Sequence, residues 1–431
     1  MKKRFFSSIL MGCVASVAIA QVSNTLSPYS QFGLGSLADQ SQVFNRGMGG
    51  IGIGLRGGQE VNMQNPASYS AVDSLSMIFD AGVAAQITNF KEGGKKVNAR
   101  TCDFDYAVAL FRVMPKMGVS VGIVPYSNIG YNYYKKEFID GSVTNYATST
   151  YSGTGGISQG YIGVGWEVAK GLSLGANVSY LWGNFTRTVN VTNSDSYTNV
   201  GTQSYESTIS SYKLDFGAQY QRLLNKDNLL TVGATVGLGH KLGADVQFIR
   251  SNSNTQTGVT LSDTVVAANA LALPFTIGVG ASLRHKNSLT VGVDYSLQKW
   301  SSVDYPRVNS LDTKFATVSG LLSDRHRVAI GADWIPDVNS RRSYFKHVHY
   351  RIGAYYATPY YKIIGHDGPK ELGLSAGFGL PIINSWNNRS VLNISAQWVR
   401  VSQPDFVTEN TFRISIGLTF NERWFAKWKV D

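Results

Sequence analysis

The chain has 431 residues and a formal net charge of +11, yet only 16% of its residues are charged and 12% are aromatic. Its bases are scattered rather than clustered, which excludes a nucleic-acid surface, and no linker, charge block or Pro/Ser-rich tract divides it into separate bodies. Polar and apolar residues are finely interleaved, which is unusual for a soluble protein of this size.

Residues 1–20 read as an export signal, with Lys2, Lys3 and Arg4 ahead of an apolar core and Ala18-Ile19-Ala20 as a small-x-small cleavage site. Its removal lowers the net charge to +8 and leaves Cys102 as the remaining cysteine, so no intramolecular disulfide frames the mature chain. Lipoprotein processing at Cys13 is the rival reading, and it would need a very short leader. Past residue 20, no run approaches the roughly 20 apolar residues of a membrane helix. The choice is a secreted soluble protein or a β-barrel, which satisfies every backbone hydrogen bond in lipid without helices.

Residues 21–76 form an N-terminal unit whose centre, 45–69, is dense in glycine. Each glycine costs a helix about 1 kcal/mol relative to Ala. The unit is therefore expected to be an irregular plug that needs a container. Residues 46–58 read as a turn system, and 65–69 as a pivot leading to the first strand. Phe32, Phe44, Met48 and Met63 are the large apolar exceptions among small residues.

From Met77 onward, about fourteen segments alternate apolar with small or polar residues at the period of a two-faced strand. They are 77–88, 103–113, 116–126, 155–168, 171–186, 205–222, 228–241, 270–284, 288–300, 324–335, 347–358, 371–380, 390–401 and 410–420. In the last of these, Phe412, Ile414, Ile416 and Leu418 oppose Arg413, Ser415, Gly417 and Thr419. A sandwich buries such an apolar face; a membrane barrel turns it to lipid. Links after even-numbered segments are mostly tight turns, whereas 127–154, 187–204, 242–269 and 301–323 read as long loops. Short turns at one rim and long loops at the other mark a bacterial outer-membrane barrel. The expected fold is all-β: a transmembrane antiparallel barrel of about 14 strands over 77–420, the plug inside it, and a periplasmic tail over 421–431.

Motifs that suggest chemistry read as structural. Gly47 to Gly52 matches G-x-G-x-x-G but lacks the strand before and the helix after that hold a dinucleotide. G-x-S-x-G occurs four times, from Gly118, Gly156, Gly171 and Gly373, always within a strand segment, where a hydrolase needs one serine on a sharp turn. His347 and His349 share a strand face without an evident third metal ligand. Asp215, Asp294, Asp333, Arg327, Arg351 and Arg413 fall on lumen-facing rows, where mutual pairing and plug contacts are expected.

The succession of an export signal, Ser27-Pro28-Tyr29-Ser30-Gln31-Phe32-Gly33, then Arg46-Gly47-Met48-Gly49-Gly50, then Asn65-Pro66-Ala67-Ser68-Tyr69, then strands, resembles the FadL/TodX-type outer-membrane transporters of long-chain fatty acids and hydrocarbons. Two departures mark a divergent branch: Asn65-Pro66-Ala67 continues with Ser68-Tyr69, and Gly57 to Glu60 replaces an acidic step. The resemblance implies passive uptake of a hydrophobic small molecule across the bacterial outer membrane, with no enzyme activity, cofactor or metal. Its hatch residues fall on Gly49, Gly50, Asn65, Pro66 and Ala67. Lateral exit near the third strand falls on Gly118, Gly122 and Pro125, and Phe32, Phe44, Met48 and Met63 are candidates to hold ligand. The surroundings are outer-membrane lipids. The alternative is a non-transporting barrel that anchors or scaffolds a surface secretion complex, with a protein partner.

Overall fold

The computed structural model describes residues 27–74, 76–139, 144–195, 197–308, 315–337, 343–363, 365–382 and 390–423. The export signal and residues 424–431 of the expected tail lie outside these.

Among the described residues, fourteen antiparallel strands close into a barrel. They are β1 (Ser76–Glu92), β2 (Lys95–Met114), β3 (Met117–Phe138), β4 (Tyr146–Ala169), β5 (Leu172–Asn193), β6 (Val200–Asn225) and β7 (Asn228–Gly237), then β8 (Thr276–His285), β9 (Leu289–Gln298), β10 (Arg325–Trp334), β11 (His349–Ala357), β12 (Lys370–Pro381), β13 (Val391–Ser402) and β14 (Thr408–Arg423). Neighbours in sequence pair throughout, and β14 closes on β1 from Ser76↔Arg423 to Lys91↔Thr408. The last strand thus takes in the first three residues of the expected tail.

The faces settle the choice between barrel and sandwich. On β14 Ile416 is 46% exposed while Ser415 and Thr419 of the opposite face are fully buried. Apolar rows point outward and polar rows inward, as lipid on one side and a filled lumen on the other require.

Three expected loops are corrected. Residues 127–154 and 187–204 are largely strand, because β3 to β6 run on for 22 to 26 residues, against 9 or 10 in β8 to β11. Past the membrane both faces of a strand are polar or mixed, so the apolar period that marks a strand fades while the ladder continues. Residues 242–269 likewise hold a hairpin, Val246–Ser253 with Thr260–Ala267, which extends the wall beyond β7 and β8 by pairing with β6. Tight turns at the opposite rim carry the left-handed residues Lys116, Gly171, Lys286 and Asn287.

The N-terminal segment lies inside the ring. Ile51, Val61, Ala67 and Tyr69 are at most 1% exposed. Its regular pieces are short turns at Pro28–Gln31, Val43–Arg46 and Pro66–Ala71, separated by irregular chain whose polar groups the wall satisfies.

Candidate functional site

The lumen has a floor, a chamber and a lid. Residues 41–74 build the floor. Asn65 caps the turn Pro66–Ala71 by accepting from Ala67 N–H, and its amide donates to the carbonyls of Ile53 at 2.9 Å and Ala218 of β6 at 3.2 Å. Inward-facing glycines of the wall let this backbone come close. A Cβ on Gly175 would strike Pro66, and one on Gly233 would strike the Ile53 carbonyl. Two of the four G-x-S-x-G serines, Ser173 and Ser375, belong to this fit, whereas Ser120 bonds within the wall. Ser173 hydrogen-bonds Ser70 at 3.0 Å, Ser375 accepts from Gly49 N–H at 2.8 Å, and Ser120 donates to Ala109 O at 2.9 Å.

Buried charges tie the floor to the wall. Arg46, 1% exposed, bonds Asp105 of β2 and lies 3.8 Å from Asp39. Burial pushes the Asp39 carboxyl up, but the Arg46 and Arg327 guanidiniums and the Ser41 hydroxyl hold it below its ordinary value. Asp294 accepts from the backbone N–H groups of Gly52 and Ile53, and Arg327 donates to Gly49 O at 2.8 Å. Near the other end of the floor, Asp333 pairs with His349 at 2.8 Å and Arg351 at 3.4 Å, and Arg351 reaches Glu60 at 3.5 Å. His349 therefore serves an ion-pair cluster; among the described residues no group of three or more candidate ligands could hold a metal.

Residues 27–37 join the outer loops as a lid. Tyr29, Leu34, Ile129, Leu271, Trp300 and Tyr360 belong to one buried apolar cluster, with Phe32 stacked on Tyr361 at 5.2 Å. Between lid and floor lies a chamber of about 430 Å³. Its walls carry the ionisable groups Asp39, Arg46, Asp103, Asp105, Arg327 and Arg413, interspersed with Met63, Phe104, Tyr161 and Val399.

The chamber reaches an interruption in the wall. β2 and β3 pair only from Met114↔Met117 to Ala107↔Ile123, whereas β2 pairs with β1 and β3 with β5's neighbour β4 along nearly their whole lengths. On the freed edge of β3, plug residues take the place of β2: Ser36 and Leu37 pair with Asn128 and Ser127, Ser27 N–H donates to Gly130 O, and Ala38 N–H to Tyr126 O.

These positions sort the expected site residues. Gly49, Gly50, Asn65, Pro66 and Ala67 lie in the floor against the wall. Gly118 and Gly122 sit in the paired part of the β2–β3 ladder, where Gly118 admits the Tyr69 carbonyl and Gly122 lies one pair from the end of the ladder at Ala107↔Ile123. Pro125 lies beyond it, at a register shift between β3 and β4 and beside the chamber. The four apolar plug residues are not brought together: Met63 lines the chamber, Phe44 and Met48 pack in the floor, and Phe32 is in the lid. Missed from sequence were Asp39 and Asp105; their partner Arg46 stood in the glycine-dense segment as its lone early base and was the available signal.

Solved structures with this fold include the Pseudomonas putida toluene transporter TodX (13% identity, TM-score 0.61, covering 91% of this chain and 100% of that one) and the Ralstonia pickettii toluene transporter TbuX (16%, 0.59, 89% and 98%). A FadL homologue of Pseudomonas aeruginosa is similar as well, at 12% identity and a TM-score of 0.60, with 90% and 98% covered. At such identities the likeness is one of fold alone. No curated protein sequence matches the chain. The sequence family differs from the FadL/TodX resemblance: the profile of a family described as BamG matches residues 1–431, and the chain belongs to the BamG family.

Proposed function

We propose that this barrel is a non-conducting outer-membrane protein that anchors or scaffolds a protein assembly at the cell surface. The observation that carries this reading is the ion-paired filling of the lumen. An apolar cargo in the chamber would displace water from Asp39, Arg46, Asp105 and Arg413 and return no hydrogen bonds, at a cost its own burial would have to exceed. A ligand site for hydrophobic molecules is mainly apolar with few polar groups, and this chamber mixes the two.

The test is a plug stapled to the wall. The Cβ of Val43 lies 3.0 Å from where a Cβ on Gly417 would stand, about 0.5 Å closer than the short end of the disulfide range, a gap that a small shift of the plug closes. The Val43→Cys/Gly417→Cys variant, oxidised, should keep its cellular function, and lipid extraction of the purified chain should yield no stoichiometric acyl chain or hydrocarbon. Loss of function on oxidation with recovery on reduction, or a stoichiometric apolar ligand, would overturn the scaffold.

A second reading is favoured by the outer part of the β2–β3 seam beside the chamber, where β3 pairs with the plug instead of with β2. Here hydrophobic compounds such as long-chain fatty acids enter from outside, the plug shifts between residues 46–58 and 65–69, and cargo leaves sideways past Pro125. Uptake of a radiolabelled fatty acid into vesicles, blocked by the oxidised staple and restored by reduction, would establish it.

A further inference from the structure

The wall is much taller on one side, and its outward face there differs from the lipid-facing belt below it. A strand of 10 residues such as β9 is about 33 Å long, and one of 26 such as β6 about 85 Å. The apolar band of a barrel is only about 25 Å tall. On β5 and β6 the belt includes Val178 and Phe216 and ends in aromatic residues, with Tyr180 and Trp182 stacked at 5.9 Å and Tyr180 bonded to Ser210.

Above that girdle the same outward parity continues, but its chemistry changes. One cross-strand row reads Asn132, Ser152, Thr188, Ser204, Ile249 and Thr264. The next reads Tyr134, Thr150, Asn190, Thr202, Ser251 and Ser262. Apart from Ile249, these two rows are hydroxyls and amides without a charged group; the row just below them, Thr154, Thr186, Glu206, Gln247 and Val266, carries one carboxylate. Neighbours in a row lie about 4.8 Å apart across strands, and some bond one another, as Thr188 with Ser204 at 3.1 Å and Thr202 with Asn190 at 3.2 Å. The opposite face at this height is already used: Tyr133 stacks on Tyr151 at 5.0 Å and Tyr205 on Phe248 at 4.8 Å, against the lid.

We infer that the outward face of this extension, from β3 to the hairpin beyond β6, is a contact surface for the saccharide part of outer-leaflet glycolipids. It continues the membrane-facing surface upward without a break, so the sugars of those lipids are the layer it meets. Saccharides present dense hydroxyl donors and acceptors, which a flat field of Ser, Thr and Asn matches. Tyr134, 68% exposed, adds a ring on which the apolar face of a sugar can stack. A protein partner is a poorer fit, since these rows lack the buried aromatic and Arg anchors that dominate protein interfaces. The inference stands whichever reading of the lumen holds.

The test uses the full chain in phosphatidylethanolamine vesicles that contain either core-bearing lipopolysaccharide or lipid A without core sugars, with bound glycolipid counted by native mass spectrometry. The unmodified chain is expected to retain the core-bearing lipid preferentially. The variant Thr150→Val/Thr188→Val/Thr202→Val keeps the β-branched shape and removes three hydroxyls; it should lower that preference at least about five-fold and leave lipid A retention unchanged. Equal retention of both lipids by the unmodified chain overturns the proposal without any variant, and a variant that keeps the full preference overturns it as well.

Discussion

The floor and the lid of the lumen come from one continuous stretch of chain, and the wall holds them by different means. The floor is fitted backbone to backbone: wall glycines admit Pro66, Asn65 and Ile53, and buried amides and carboxylates take up the polar groups that irregular chain leaves open. The lid is held chiefly by aromatic and aliphatic packing around Trp300, Tyr360 and Leu271. Geometric fit tolerates no added atom, whereas apolar packing weakens in proportion to what is removed. Floor and lid should therefore fail separately.

The largest effect is expected in the lid. Trp300 is fully buried against Tyr360, with ring centroids 4.6 Å apart, and Trp300→Ala should cost about 3–5 kcal/mol locally. Hydrogen exchange should then accelerate in residues 27–37 and 299–303 but not in 61–71; acceleration in both would break the distinction. In the floor, Gly233→Ala should cost about 1–3 kcal/mol through overpacking against Ile53, with the reverse exchange pattern. Asn65→Ala removes a cap and two further hydrogen bonds and should cost about 1–2 kcal/mol, read as a lower midpoint of thermal unfolding with the lid unaffected.

The smallest effect is a titration. Asp324 accepts from Lys299 at 2.8 Å and from Ser301 N–H at 3.0 Å, beside Trp300. Burial acts to raise its pKa, and these partners more than offset that, bringing it down to about 2. Because the folded value lies below the unfolded one, the stabilisation is complete above about pH 4. It disappears as pH falls through about 2. Pepsin cleavage near residues 299–303 should rise over that window, and Asp324→Asn should flatten the rise.

The strand plan was legible because lipid on one face and filled lumen on the other impose a strict period of two, as in Phe412 to Thr419. Where that asymmetry ends, above Tyr180 and Trp182, the signal ends too, and long strands looked like loops. The need for a container could be read from glycine density in the plug. The matching glycines of the wall could not be assigned, because Gly118 looks the same whether it opens a ladder or admits Tyr69. The β2–β3 interruption depends on register, which alternation on two separate strands does not specify. The lid escaped notice because its members are spread from Tyr29 to Tyr361 and meet only in three dimensions.

The closure of β14 on β1 also bears on the order of assembly. The N-terminal chain climbs from Ser76 at one rim past the chamber to the lid at the other, so a finished ring would have to be threaded along its whole height to receive it. A ring that closes last at the β1–β14 seam wraps the chain laterally and needs no threading. The plug then acts as the mandrel on which the wall is wound, and the wall glycines record where it lay.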